Sequence, residues 1–358
     1  MGGVYVTGGG AAGILNPMRR GLCFRDAGVV DCSPPRGEFT GVVRANQSLC
    51  REHYRLTLEV AGFPPSSPGQ FIEILSSPAD PGDQLARPRE LQWTAAAPPR
   101  FTNPYLIAER PYLRRPFSIA QRRGVCGLKN DSAAATQLDI MYRVVGKTTR
   151  VLEQLRPGET VSLLGPLGRG FIIPPSLRLA LLVAGGVGIP PMLYLAEQLV
   201  LRGIPAVAFA GAQRADLFPL ILPPDAPRPL DRPVASRSVL EFARHGIPSI
   251  VATDDGSLGM RGFVTVALRA YLEREKEING GSTTVFCCGP TPMMKATAAI
   301  AATFKLPCQV SLEQPMACGM GTCQSCVIKY QPAGEPDWGY RLACADGPVF
   351  PAADIIWP

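Results

Sequence analysis

The run Leu179-Ala180-Leu181-Leu182-Val183-Ala184, continued by Gly185-Gly186-Val187-Gly188-Ile189-Pro190-Pro191, decides how this chain folds. Six apolar residues without alternation mark a strand buried on both faces of a parallel sheet. Small residues then end the strand abruptly, and residues 191–202 carry the spacing of a helix. Short apolar runs return at 206–210, 250–253 and 283–287. Helical stretches cover 263–275 and the segment from Gly289-Pro290 to about Thr303. Strands alternating with helices predict a right-handed α/β domain, assigned to residues 176–307.

Upstream, residues 38–175 read as all-β. Tyr54-Arg55-Leu56-Thr57-Leu58-Glu59-Val60 alternates apolar and polar, residues 70–75 follow a Pro-Gly turn, and 137–145 and 160–164 read as further strands. A small β-barrel is predicted there. It is interrupted by residues 76–112, whose prolines (Pro78, Pro81, Pro88, Pro98, Pro99, Pro104) read as an insertion or long loop. Residues 1–37 read as a flexible leader. Gly8, Gly10 and Gly13 do spell G-x-G-x-x-G after Val4-Tyr5-Val6, but Asn16-Pro17 breaks the helix that this fingerprint needs.

With 358 residues, 46% of them hydrophobic, the chain has material for two or three cores. A net charge of +7 without any Lys/Arg block gives no argument for nucleic acid, which is not expected as a partner, and suits the binding of anionic dinucleotides. No apolar run is long enough to span a membrane. Residues 1–15 lack the charged start and apolar stretch of a secretory signal, so a cytoplasmic protein is expected. In a reducing compartment an odd count of 11 cysteines reads as buried thiols and metal ligands, not disulfides. His53 and His245 are the only histidines, which leaves redox metal to thiolates.

Residues 308–358 hold the sharpest motif. Cys318, Cys323, Cys326 and Cys344 form C-x4-C-x2-C and a distant fourth cysteine, the plant-ferredoxin spacing for a [2Fe–2S] cluster. Gly319 and Gly321 suit a loop that folds closely over inorganic sulfur with its amides turned inward. Zinc would usually be held by two paired hooks, whereas here the fourth ligand is solitary. Cys308, Cys23, Cys32, Cys50 and Cys126 fall outside the spacing and read as structural.

Two nucleotide sites are expected. Arg115-Pro116-Phe117-Ser118 on a barrel strand supplies a fork for the FAD pyrophosphate, an aromatic to lie beside the flavin and a hydroxyl for its polar edge. Tyr142-Arg143 and then Gly146-Lys147-Thr148-Thr149, opening a helix expected at 151–155, add a phosphate loop. Thr148 reads equally as an N-cap and Gly146 as an ordinary turn. For the nicotinamide nucleotide, Gly186 and Gly188 let phosphates approach the backbone, and Cys288-Gly289-Pro290 lies at the carboxyl edge of the sheet. Gly-Pro also ends many strands, and Cys288 fits a plain buried thiol. Asp254 of Asp254-Asp255-Gly256-Ser257 is placed to accept from ribose hydroxyls, although an Asx turn explains Asp-Gly as well. Arg214 alone does not make a clamp for a 2′-phosphate, which favours NAD over NADP.

In this order, barrel, nucleotide domain and cluster segment resemble the ferredoxin–NADP reductase superfamily. Within it, residues 38–358 resemble the electron-transfer subunits of NAD-dependent bacterial dihydroorotate dehydrogenases. The resemblance rests on Leu113-Arg114-Arg115-Pro116-Phe117-Ser118-Ile119, Tyr142-Arg143-Val144-Val145-Gly146, Leu164-Gly165-Pro166-Leu167-Gly168-Arg169-Gly170-Phe171 and Gly185 to Pro191. It extends through Cys288-Gly289-Pro290, Met293-Met294-Lys295, Ser311-Leu312-Glu313 with the four cysteines, and Cys344-Ala345-Asp346-Gly347-Pro348-Val349-Phe350. It implies a ferredoxin reductase-like fold: a β-barrel flavin domain, an α/β nucleotide-binding domain and a small C-terminal ferredoxin-type [2Fe–2S] domain. It also implies FAD at Arg115 to Ser118, Met141 to Arg143 and Thr148-Thr149, and an FMN-containing catalytic partner subunit in a heterotetramer of two of each chain. The partner oxidises dihydroorotate in pyrimidine (UMP) synthesis, so no residue for substrate chemistry is needed in this chain.

Three departures stand out. Thr148 occupies the second Gly position of the family's G-x-G-T, the leader and 76–112 are extra, and the loop 327–343 before Cys344 is longer, with Trp338 as a candidate shield for the cluster. Two rival readings remain at this point. One is the reductase subunit of a hydrogenase, transhydrogenase or oxygenase; the other is a non-enzymatic redox sensor, against which the motifs at 115–118 and 185–191 argue.

Overall fold

A computed structural model describes residues 22–25, 28–31, 36–75, 113–124, 135–223, 235–236, 239–275 and 278–358. The insertion expected at 76–112, the Gly8 to Gly13 fingerprint, Cys32 and Cys126 lie outside the described residues. The chain divides into two units, Met1–Pro35 and Arg36–Pro358. In the first, β1 (Leu22–Arg25) pairs antiparallel with β2 (Gly28–Asp31), so the leader contains a hairpin that its sequence did not announce.

The second unit opens with six antiparallel strands: β3 (Gly37–Cys50), β4 (His53–Ala61), β5 (Phe71–Leu75), β6 (Arg115–Gly124), β7 (Ala135–Arg143) and β8 (Thr160–Leu167). They close into a barrel in the order β3-β4-β7-β6-β5-β8, which leaves no free edge. Alternation aims Leu56 and Leu58 of β4, Ile72 and Ile74 of β5 and Leu138 and Ile140 of β7 into one core, all fully buried. Helix α1 (Lys147–Glu153) seals one end with the buried Leu152. The Asn46 amide donates to the carbonyls of Leu152 (2.7 Å), Glu153 and Leu155, satisfying acceptors that the helix end leaves open. This helix begins at Lys147, four positions before the expected start at 151.

The α/β part is a seven-stranded sheet. Its elements are β9 (Leu179–Gly185), α2 (Ile189–Leu201), β10 (Ala206–Ala212), α3 (Leu240–Ala243), β11 (Ser249–Thr253), β12 (Met260–Arg261), α4 (Val264–Arg274), β13 (Thr283–Cys288), α5 (Thr291–Thr303), β14 (Cys308–Ser311) and, after the cysteines, β17 (Val349–Pro351). Between β14 and β17 stands a hairpin, β15 (Val327–Tyr330) with β16 (Gly339–Leu342). The sheet order is β12-β11-β10-β9-β13-β14-β17, parallel except for β17. Both faces of β9 are covered. Leu181 and Val183 pack with Leu268 and Met294 beneath α4 and α5, whereas Ala180 and Leu182 pack with Met192 and Leu195 of α2.

Two consequences position the site. The chain leaves β9 toward β10 on one side and returns to β13 on the other, so the loops after β9 and β13 flank a topological switch point. The sheet also runs past residue 307. Cys308–Ser311 is one of its strands and β17 returns to pair with it, so the cysteine segment is bracketed by two sheet strands. Its core residues Cys326, Ile328, Tyr330 and Cys344 join the cluster under α4 and α5. A sequence boundary at 308 missed this pairing, because the partner strand lies beyond the cysteines.

Candidate functional site

One cavity of about 1330 Å³ runs from the barrel to the carboxyl edge of the sheet. Arg115, Pro116, Phe117 and Ser118 reach it from β6, Met141, Tyr142 and Arg143 from the end of β7, and Thr148 and Thr149 from α1. Gly186, Gly188, Asp254, Cys288, Gly289 and Pro290 line it from the sheet. Residues expected at two nucleotide sites therefore face one continuous space.

Local structure sorts these side chains by job. Arg114 is tied into the barrel, donating to Glu38 Oε1 (2.6 Å), Ser162 Oγ (2.8 Å) and the Ser162 carbonyl. Arg115 makes no ion pair among the described residues, and its Nη1 donates only to the Arg114 carbonyl, so its guanidinium faces the cavity. Arg143 is held by Glu52 through Nε (3.0 Å) and Nη2 (2.8 Å). Tyr142 is stacked on Tyr54 and meets Phe117 edge-on, which fixes the aromatic wall. The Thr149 hydroxyl is consumed locally: it accepts from the amides of Val145 and Gly146 and donates to the Gly146 carbonyl. Thr148 is buried at the cavity wall.

On the sheet side, a methyl group added at Gly188 would run into the Cys288 carbonyl and the Gly289 amide, so the β9 and β13 loops touch backbone to backbone. Gly186, with φ of 54°, and Gly146 have open space where a side chain would stand. Those gaps let a phosphate chain lie against the main chain. The Cys288 thiol is buried, and its pKa is raised by that burial. The two readings of Asp254-Asp255 divide between neighbours. Asp255 accepts from the Ser257 hydroxyl (2.6 Å) and amide (3.0 Å), bonds that hold its pKa down and make an Asx turn. Asp254 faces the cavity with its pKa raised by burial. Arg214 is engaged by Asp216 (3.3 Å) and approaches Asp255 (3.9 Å).

The cysteine loop forms the cavity's third border. Leu312, Glu313, Gln314 and Met316 line the cavity, and Cys318 follows two residues on. The thiols fall into two pairs: the Cys323 amide donates to Cys318 Sγ, and the Cys344 amide to Cys326 Sγ, each at 3.4 Å. Two irons, each taking two thiolates, need such a set. Hydrogen bonds from the Ser325 hydroxyl and amide hold the Cys323 thiol down at about 6, a thiolate at neutral pH. Gly319 and Gly321 adopt φ of 63° and 92°, which side chains resist. Trp338 does not serve as the expected shield. It is half exposed and packs on Tyr340 and under Lys329 of its own hairpin.

Sequence reading missed His53, Phe71, Phe263 and Thr265 on the cavity wall. None belongs to a motif; each arrives through strand register or the start of α4.

A closed antiparallel barrel joined to an open parallel sheet, with a cavity across the switch point, defines the ferredoxin-reductase-like fold. The NADH-dependent reduced ferredoxin-NADP oxidoreductase, solved in work on flavin-based electron bifurcation, superposes with a TM-score of 0.58 at 23% identity, over 88% of this chain and 90% of that one. Residues 313–356 match the iron–sulfur cluster binding domain of dihydroorotate dehydrogenase B. The electron transfer subunit of dihydroorotate dehydrogenase B (NAD(+)) from Bacillus caldolyticus is 38% identical over 69% of this chain and 81% of its own. That of Caldanaerobacter subterraneus subsp. tengcongensis is 30% identical over 90% of this chain and all of its own. This chain belongs to that family of electron transfer subunits. No helix among the described residues is long and apolar enough to cross a membrane.

Proposed function

We propose that this chain passes electrons between the FMN of a dihydroorotate dehydrogenase catalytic subunit and NAD⁺, within a cytoplasmic heterotetramer of two of each chain. One observation carries the reading: a single cavity is bordered by the Arg115 strand, the switch-point loops and the cysteine loop. When bound, FAD supplies exchange of hydride with the nicotinamide and of single electrons with the [2Fe–2S] cluster.

The chain's residues bind and orient. Arg115 pairs with the pyrophosphate of FAD, Phe117 and Tyr142 wall the flavin, and Ser118 and Met141 border it. Arg143, steadied by Glu52, and the 146–149 loop take the remaining phosphate contacts. Gly186, Gly188 and Cys288 to Pro290 receive the nicotinamide nucleotide, with Asp254 toward ribose. Cys318, Cys323, Cys326 and Cys344 hold the cluster. In this division, residues 38–175 serve FAD, 176–307 serve NAD, and the segment from 308 serves the cluster. The base for dihydroorotate belongs to the partner.

The test is to express both chains together, purify them anaerobically and follow dihydroorotate-dependent reduction of NAD⁺. Turnover that needs both chains supports the assignment. A flavin- and iron-containing protein that oxidises NADH with dyes yet never supports that reaction hands the role to another reductase branch.

A further inference from the structure

Glu73 sits in the middle of β5, opposite Pro116 and one residue before the partner of Arg115. Its neighbours Ile72 and Ile74 point into the barrel core, so Glu73 points outward, yet it is only 1% exposed. What covers it is the cysteine loop: a methyl group on Gly319 would lie 2.6 Å from Glu73 Cδ and Oε1. Glu73 Oε1 is buried without a hydrogen-bond partner among the described residues. Burying a carboxyl oxygen in this way is costly, so its place against a loop carrying two cluster cysteines calls for a role.

We propose that the Glu73 carboxylate, pressed against Gly319, sets the electron affinity of the iron–sulfur centre by holding negative charge beside the loop of Cys318 and Cys323. This rests on the reading that the four cysteines hold a [2Fe–2S] cluster. Reduction adds one electron to the cluster, and cluster potentials respond to surrounding charge and solvent exclusion. A buried carboxylate opposes that added charge across a low-dielectric contact. Burial pushes the Glu73 pKa up and the nearby Cys323 adds to the rise, while Arg114 and Arg115 act in the opposite sense and favour the ionised carboxyl. The result is a cluster of lowered potential, better able to hand its electron onward to the flavin held on the adjoining strand.

The test uses the purified full-length holoprotein, titrated anaerobically with dithionite and followed by electron paramagnetic resonance of the cluster and absorbance of the flavin. Glu73→Gln, which keeps the shape and removes the charge, is expected to raise the cluster midpoint. Glu73→Asp, which keeps the charge, is expected to stay near the unaltered protein, with the flavin midpoint constant throughout. An unchanged midpoint in Glu73→Gln overturns the proposal, and so does an equal shift in Glu73→Asp, which would assign the effect to loop geometry. Loss of iron from Glu73→Gln alone would make the carboxyl a folding element and overturn it too. Absence of iron and sulfide from the unaltered protein would instead defeat the cluster reading itself, and this inference with it.

Discussion

Gly188 meets the Cys288 carbonyl with no room for a side chain between them, which locks the loop after β9 to the loop after β13. These are the two loops at the switch point, so their spacing shapes the sheet side of the cavity, where we propose the nicotinamide nucleotide lies. Gly188→Ala must push them apart. Loss of even about 1.4 kcal/mol of binding in the transition state is a tenfold loss of rate. NADH oxidation with an artificial acceptor is expected to fall at least about tenfold in kcat/KM, while FAD and iron contents per chain stay at the level of the unaltered protein. Intact NADH oxidation would show that the nucleotide does not lie on this contact.

Arg114 and Arg115 are neighbours with different employment, and substitution separates them. Arg115→Ala removes the guanidinium that faces the cavity, a charge-assisted contact of roughly 1.5–3 kcal/mol, so FAD retention is expected to weaken by about tenfold to a hundredfold. Arg114→Ala instead breaks bonds to Glu38 and Ser162 between β3, β6 and β8. Its expected cost is about 1 kcal/mol of stability with FAD affinity kept, because the Glu38 partner is largely exposed. Equilibrium dialysis of FAD and thermal melts on both variants distinguish the two roles.

Much of this architecture was legible because its signals are local. Residues 179–184 read as a doubly buried strand from six residues alone, and the cysteine spacing needs no tertiary knowledge. Where the reading fell short, the deciding contact comes from far along the chain. Strand β14 pairs with β17 across the whole cysteine segment, so neither strand signals the other. Helix α1 starts at Lys147 although Thr148 and Thr149 are weak helix formers, because the Thr149 hydroxyl ties back to Val145 and Gly146. Glu73 lies between the core-facing Ile72 and Ile74, and the contact that the distant Gly319 makes with its carboxyl has no signal in the strand itself.

His53 gives the chain a titration of known sign. Its pKa is lowered, first by burial and then by Arg143, although the bond from its Nδ1–H to the Arg51 carbonyl (2.9 Å) and the nearby Glu52 pull the other way, so folding favours the neutral ring. The unfolded chain therefore binds the proton more readily. Stability carried by His53 is complete above an unfolded pKa near 6.5 and is lost as pH falls through the lower folded value. The melting temperature is expected to drop between about pH 7 and pH 5. In His53→Gln the drop should shrink but not vanish, since His245 contributes with the same sign. An identical pH slope in the variant would remove His53 from the account.

Cys323→Ser tests how far the cluster segment and the barrel stand apart. Cys323 lies on the exposed side of the loop, and its serine replacement offers no thiolate to iron. The barrel core, built on Leu56, Leu138 and Ile140, shares no residue with the core that holds Cys326 and Cys344. That second core continues beneath α4 and α5 through Val285 and Leu268. The variant is therefore expected to lose its iron and the cluster's visible absorbance, keep FAD at one per chain, and melt earlier in the transition of the α/β part. Iron and flavin analysis of the same purified sample decides it. Joint loss of both would mean that the cysteine loop, through Glu73 and Gly319, supports the flavin strand as well as the cluster.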